Sequence, residues 1–322
     1  MSIKNRLRTY YRHMQYGCIV LCYHRVGELT TDYWQNVVSV ENFLEHLRVI
    51  KNFYRPVSMN ELIETFKVRK LPDRRTVVIT FDDGYSSNLK YACESLSNKN
   101  LPAIFYLNTY SLNKKNFWWD ELQKLIIDNL YQSDSIKLSI FAHDVSLPIK
   151  TIGQKNACLS ILHKIMKGMD PSTRESLLVE LGNQDNNQIS NALSLERKPL
   201  SSHEIKSLSQ TSLFEIGGHG HCHRALSLLK HNEQKNEILE NRRILQEITQ
   251  KPILHFSYPF GGKDDFDEIS VKIVKECSFE SAVTTSREPL RLGGDLYSIP
   301  RISIKNWDGE KFKEKLDQIW AM

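Results

Sequence analysis

Four β-branched residues in a row, Thr76-Val77-Val78-Ile79, lead without a break into Thr80-Phe81-Asp82-Asp83-Gly84-Tyr85. A run apolar on both faces reads as a strand inside a parallel sheet that is covered on both sides. Two carboxylates sit at its C-terminal end, and Gly84 lets the backbone turn away. Open α/β sheets and barrels gather their active sites at that end. Adjacent carboxylates in a half-buried cleft repel unless a cation or a shared proton intervenes. A metal meets that need, with one Asp as ligand and the other as base. An Asp-Gly turn without chemistry is the plain alternative.

The 322 residues, 40% hydrophobic and 25% charged, suffice for one large α/β domain or two smaller ones with proper cores. A balance of 43 basic against 38 acidic residues leaves +5, too mild an excess to argue for a nucleic-acid partner. Six cysteines (Cys18, Cys22, Cys93, Cys158, Cys222, Cys277) show no C-x-x-C pair and read as reduced core thiols of a cytosolic protein. Near the start, Ile3, Leu7, Tyr10, Tyr11 and Met14 recur at helical spacing, with Lys4, Arg6, Arg8 and Arg12 between them. Residues 1–16 are therefore expected to form a basic helix packed on the domain. Peripheral contact with the inner face of an anionic membrane is the second reading. The apolar stretch Cys18–Cys22 is too short to span a bilayer and no small-residue cleavage site follows, so no signal peptide is expected. The expected location is cytoplasmic.

Along the chain, Gly17–Tyr23 reads as a buried first strand that delivers His24 and Arg25 at its end. Glu41–Phe53 and Ser58–Phe66 carry helical faces, the second opened by a capping box, Ser58-x-x-Glu61. After the Asp-Asp strand come a helix over Asn88–Lys99 and a strand over Ala103–Leu107. This alternation predicts parallel βα units. It breaks over 111–200, with helices from Phe117 through Leu130, over Lys155–Met169 and over Pro171–Leu181. A hairpin is predicted over 137–148, around His143-Asp144, and a polar loop over Gly182–Ser194. The block is read as an insertion that walls the substrate cleft. The core pattern resumes with a capping box, Ser201-x-x-Glu204, and a strand over Phe214–Gly217. A helix over Asn232–Ile248, a strand over Ile253–Tyr258 and a helix over Phe266–Cys277 follow. Ser281–Thr285 and Leu296–Ile304 are the last strands. Seven or eight strands favour a closed or nearly closed α/β barrel over 17–322.

The second chemical cluster is His219-Gly220-His221-Cys222-His223. On one helical turn, His219 and His223 would share a face and could bind a single metal. Solvated turn histidines are the plain alternative. His221 projects differently, and Cys222 is expected to pack inward. Two imidazoles plus one carboxylate leave a position on zinc open for water or substrate, as hydrolysis requires.

Thr80–Gly84 with His219-x-x-x-His223 resembles the first two motifs of the polysaccharide deacetylase family (NodB homology, carbohydrate esterase family 4). Phe256-Ser257-Tyr258-Pro259-Phe260-Gly261 is similar to the third. The resemblance spans roughly 17–108 and 201–304. It implies a distorted (β/α) barrel of mostly parallel strands, with Asp82 as general base and Asp83, His219 and His223 as ligands of a divalent metal. Zinc is the first choice; cobalt, nickel and manganese are the alternatives. Phe260 matches a position whose backbone N–H helps hold the oxyanion, so Phe for the usual Tyr costs little.

Three departures stand out. Ser257 occupies the place of an Arg that orients the catalytic Asp, Gly220 replaces the usual Ser or Thr, and no Leu-x-His follows the third motif to supply the general acid. Leu21-Cys22-Tyr23-His24 resembles the Tyr-His stretch of circularly permuted members, which include exopolysaccharide poly-N-acetylglucosamine deacetylases. That implies His24 as the acid; separately, Arg301 in Ile299-Pro300-Arg301-Ile302 is the candidate to fill the vacancy at Ser257. A histidine capping a strand is the plain alternative for His24.

The leading expectation is a metal-dependent hydrolase that removes N-acetyl groups from an amino sugar in a polysaccharide or lipid-linked glycan. A carbohydrate-binding protein on the same fold, catalytically inactive, is one alternative. An amidase or deformylase acting on a non-polymeric substrate is another. Tyr85, Trp119, Tyr258 and Pro259 are the expected substrate contacts, with Trp118 and Trp307 as further aromatics.

Overall fold

The computed structural model describes residues 16–28, 32–68, 75–114, 116–128, 133–184, 197–291 and 293–320. The basic helix expected over 1–16 lies outside them, apart from Tyr16, which opens the first strand. Strand β1 (Tyr16–Tyr23) is followed by the two-residue strands β2 (Arg25–Val26), β3 (Val37–Val38) and β4 (Arg55–Pro56). Then come β5 (Thr76–Phe81) and β6 (Ala103–Leu107), and the antiparallel hairpin of β7 (Ser135–Ile140) and β8 (His143–Pro148). The chain continues with β9 (Phe214–Gly218), β10 (His255–Ser257), β11 (Ser281–Val283), β12 (Leu290–Arg291) and β13 (Ile302–Ser303).

Six strands run parallel in the order β11-β10-β9-β6-β5-β1. The seventh, β13, lies parallel beside β1, with Leu21 opposite Ile302 and Cys22 opposite Ser303. Just before β13, Ile299 bridges Val283 of β11; its carbonyl accepts from Thr284 N–H at 2.8 Å. The chain from 299 to 303 therefore passes from the last strand back to the first and curls the sheet into a distorted barrel. The single strand expected over Leu296–Ile304 shortens to two residues because this segment leaves one neighbour to reach the other, pairing with each only briefly.

Period-2 alternation sorts the side chains. Cys18, Val20, Val78, Ile104, Tyr106 and Val283 share one buried cluster inside the barrel, floored by Leu62 and Ile63 of the helix Met59–Lys67. Ile19, Leu21, Val77, Ile79, Phe81 and Phe105 face the other way, under the outer helices. The inner parity continues through Cys22 and His24 on one strand and Thr80 and Asp82 on its neighbour. Chemistry-bearing side chains thus reach the barrel mouth by the same rule that fills its core.

Local signals explain the element ends. Ser201 and Glu204 close their capping box in both directions. At Ser58 only half of the expected box forms: its hydroxyl accepts from Glu61 N–H, while the Glu61 carboxylate pairs with Arg55 at 2.6 Å. The predicted helix over Asn88–Lys99 opens with a wide π-turn over Asn88–Cys93, and Asn100 ends it at φ 55°. Between β6 and β9, a separate apolar core joins Leu122 and Ile126 to Leu138, Leu162, Met166 and Leu181. All six cysteines are buried and unpaired. Among the described residues, no helix is long and apolar enough to cross a membrane.

Candidate active site

Asp82 leaves β5 with its N–H donated to Tyr23 C=O at 3.0 Å, which locks the turn to β1. Asp83, at φ 72°, is the centre of a three-residue turn closed by Gly84 N–H to Asp82 C=O at 2.9 Å. Such a turn is rare and strained, and persists only where its surroundings over-determine it. It separates the two carboxylates. Asp82 points into the barrel and Asp83 towards the histidines.

Arg301, fully buried, forks onto Asp82 with Nη1–Oδ1 and Nη2–Oδ2 both at 2.6 Å. The guanidinium also donates to Ser257 Oγ at 2.9 Å, Thr80 Oγ1 at 3.0 Å and Thr284 C=O at 3.0 Å. It therefore stands beside Ser257 and delivers its charge to Asp82 from a different strand. Burial alone would push the Asp82 carboxyl up; the charge and hydrogen bonds of Arg301, with His219 and His24, together outweigh it and hold the carboxyl below the usual range.

Three donor atoms converge beside this pair. Asp83 Oδ1 lies 3.5 Å from His219 Nε2 and 3.3 Å from His223 Nε2, and the two nitrogens are 3.2 Å apart. Two donors each about 2.1 Å from a tetrahedrally held ion would lie roughly 3.4 Å apart, so the spacing fits a zinc-sized cation. His219 Nδ1–H donates to Ser257 C=O at 2.8 Å, which turns the Nε2 lone pair towards Asp83. Burial raises the Asp83 carboxyl, yet the two imidazoles beside it pull it well below the carboxylate range. Burial lowers His223 to about 4. His219, Asp83 and His223 form a candidate metal site of two imidazoles and one carboxylate.

The helical turn expected to align these histidines is absent. Residues 219–225 form a loop, with Gly220 at φ 72° and His223 at φ 52°. Left-handed backbone at both positions folds the loop back on itself, so the four-residue spacing works without a helix. Gly220 also leaves room for Pro259, whose Cγ would stand 3.1 Å from an added Cβ. The His223 ring is held by packing, with Trp119 at 4.6 Å and Phe260 at 4.5 Å between ring centroids.

His24, half-buried, continues the inner parity of β1 and shares a cluster with Cys22 and Asp82 whose donor atoms lie within 4.8 Å of one another. Burial lowers its pKa against the opposing pull of Asp83 and Asp82. His221 and His255 lie elsewhere. His221 Nδ1 pairs with Thr109 Oγ1 at 2.8 Å, and His255 is buried at the opposite end of its strand, between Ser281 and Asn60.

A cavity of about 430 Å³ opens over Asp82, Asp83, His24, His219 and His223. Trp119 and Phe260 line it. Phe260, at φ 64°, centres a second three-residue turn, closed by Gly261 N–H to Pro259 C=O at 2.8 Å.

Three expected substrate contacts are core residues instead. Tyr85 is 1% exposed, and its hydroxyl donates to Asp120 while accepting from Trp119 Nε1, both at 2.8 Å. Tyr258 is fully buried, stacks on Phe266 and donates to Tyr297 C=O at 3.0 Å. Pro259 is buried against Gly220. For Tyr258, the alternation that aims Ser257 inward sends the next ring into packing. Trp307 packs against the main core, and Trp118 stacks on His163. The sequence reading missed Trp34, His163, Lys167 and Asp265, which also line the cavity; apart from the wall expected of the 111–200 block, no local motif marked them.

The polysaccharide deacetylase family profile matches residues 69–133 and 182–282, just over half of the chain. No curated protein matches. Among solved structures, Streptococcus pyogenes deacetylase PplD in complex with acetate superposes with a TM-score of 0.61 at 16% identity, over 95% of this chain and 99% of that one. IcaB from Ammonifex degensii gives 0.60 at 16% identity, over 95% and 97%. The de-N-acetylase from Aggregatibacter actinomycetemcomitans gives 0.59 at 16% identity, over 94% and 99%. Strand order, motif positions and profile agree: the chain belongs to the polysaccharide deacetylase family.

Proposed function

We propose that this chain is a metal-dependent hydrolase that removes N-acetyl groups from an amino sugar of a polysaccharide or lipid-linked glycan. The observation that carries the reading is the split between two neighbouring aspartates, one clamped by Arg301 at 2.6 Å and one facing a histidine pair at 3.3 and 3.5 Å. That split gives a base and a metal ligand from adjacent residues.

Asp83, His219 and His223 are the residues that would hold the cation, zinc first, with cobalt, nickel or manganese as alternatives. A divalent ion there would supply Lewis acidity at the acetamide carbonyl. Asp82 takes the proton of the attacking water, and Arg301 keeps that carboxylate ionised and oriented. The Phe260 backbone N–H supports the developing oxyanion. His24 gives a proton to the departing amine. Trp119 packs beside the acetyl group. The buried, unpaired cysteines and the basic N-terminus support a cytoplasmic location, free or peripheral at the inner membrane face.

The test is acetate release from N-acetylglucosamine oligomers and lipid-linked amino sugars with added zinc, cobalt, nickel or manganese. Metal-dependent release that a chelator abolishes is expected. No release from any substrate by protein that has bound metal would overturn the proposal.

A further inference from the structure

The cavity has a wall that the family match does not reach. Residues 134–181 fall between the two matched stretches, and from them the helix Ile152–Met166 brings His163 to the cavity, with Lys167 one residue past its end. The His163 ring lies 4.4 Å from Trp34, 5.2 Å from Trp118 and 5.6 Å from Phe260, centroid to centroid. Trp34 is tied to the same helix through its neighbour Tyr33, whose hydroxyl meets Asn156 C=O at 3.0 Å and Ser160 Oγ at 2.6 Å. Three rings from three separate segments are therefore gathered around His163, Trp118 stacked on it, Trp34 tilted and Phe260 edge-on.

Packing alone does not account for the choice of His. Among the described residues, neither ring nitrogen of His163 has a hydrogen-bond partner, although the ring lines the cavity. Lys167, also on this wall, is already committed to Asp265 at 2.9 Å and to the face of Phe260 at 4.0 Å. Burial lowers the His163 pKa to about 3, so at neutral pH it offers one donor and one acceptor and no charge. A group with that inventory suits a hydroxyl, which also donates and accepts. The flanking rings suit the apolar face of a pyranose.

We infer that His163 is a specificity-determining residue that hydrogen-bonds a hydroxyl of the neutral sugar seated against the Trp34–Phe260 wall. This deepens the deacetylase reading and rests on it for the identity of the reaction, not for the binding itself.

The test is calorimetric binding of an N-acetylglucosamine tetramer to metal-loaded protein, in wild type, His163→Ala and His163→Gln. Hydrolysis of an aryl acetate, which carries no sugar, is measured alongside. His163→Ala is expected to weaken tetramer binding about tenfold, the scale of one hydrogen bond to a substrate hydroxyl. His163→Gln, which keeps a donor and an acceptor, should recover part of it. Aryl acetate hydrolysis and the melting temperature should stay close to wild type in both variants. Tetramer binding within twofold of wild type in His163→Ala would overturn the inference. So would a wild type that does not bind the tetramer, or equal losses on tetramer and aryl acetate. Tetramer that binds in the expected order without being deacetylated would leave the inference standing and remove this sugar from the substrates of the proposed reaction.

Discussion

Arg301 and Asp82 meet as a buried, bidentate ion pair although 219 positions separate them in sequence. The pair joins the strand that closes the barrel to the strand that carries the candidate site, so one contact serves both. Removing one partner of a buried pair leaves the other charge uncompensated. Arg301→Met is expected to cost about 3–5 kcal/mol in urea unfolding and to lower turnover more than substrate binding. The swap Ser257→Arg with Arg301→Ser should recover part of both, because Ser257 Oγ lies only 2.9 Å from the guanidinium. A cost below about 1 kcal/mol for Arg301→Met would show that the pair is not held as described.

The two aspartates should part company under mutation. Asp83→Ala is expected to lose bound metal and all activity. Asp82→Asn should retain the metal, with turnover reduced by about a hundredfold or more. Elemental analysis beside acetate release checks both. Equal metal loss in the two variants would mean that the roles are wrongly divided.

His24 bears on the leaving group. With a proton donor worth about a hundredfold or more, His24→Ala should cripple amide hydrolysis at unchanged metal content. An aryl acetate needs no proton on its leaving oxygen, so the same variant should act on it at a rate much closer to wild type. Equal slowing on amide and ester would remove His24 from the acid role.

Acid should unfold this protein through buried neutral histidines. His46, between Tyr23 OH at 3.2 Å and Trp307 C=O at 2.7 Å, is lowered by burial to about 4. His255 is lowered by burial to about 3. Both folded values lie below the ordinary 6.5, so on acidification the unfolded chain takes up the proton first. Their stabilising contribution is present above about pH 6.5 and drains away as pH falls to about 3–4. Each can contribute a slope of up to roughly 1.4 kcal/mol per pH unit. Urea midpoints at pH 7, 6 and 5 should fall steadily, and His255→Asn should flatten the fall. An unchanged slope in that variant would exclude the histidine.

The amount legible beforehand differs sharply between elements. Strands β1, β5 and β6 announced themselves because each is apolar on both faces, which only a covered parallel sheet accommodates. The closing strand was read too long, over Leu296–Ile304, because an apolar pattern does not show that pairing passes from one neighbour to another and lasts only two residues at the second. The His219–His223 spacing suggested one face of a helix, whereas positive φ at Gly220 and His223 achieves the approach in a loop. Four-residue periodicity cannot distinguish the two. Tyr85 and Tyr258 looked like sugar platforms by composition, but which way an aromatic points depends on the parity of the strand before it and on what lies behind.

Sequence by itself determined which chemistries the chain can hold: paired carboxylates after an apolar strand, a histidine cluster, and the alternation that makes a parallel barrel. Local chemistry suffices there, because strand period and turn propensity act over a few residues. Only the tertiary structure decided which charges meet. Barrel closure through 299–303 carries Arg301 to Asp82, and the 134–181 segment sets His163 against Trp34 and Phe260. Those encounters join residues from distant strands and loops, and no local pattern records them, because their energy comes from desolvation and packing that exist only once the barrel has closed.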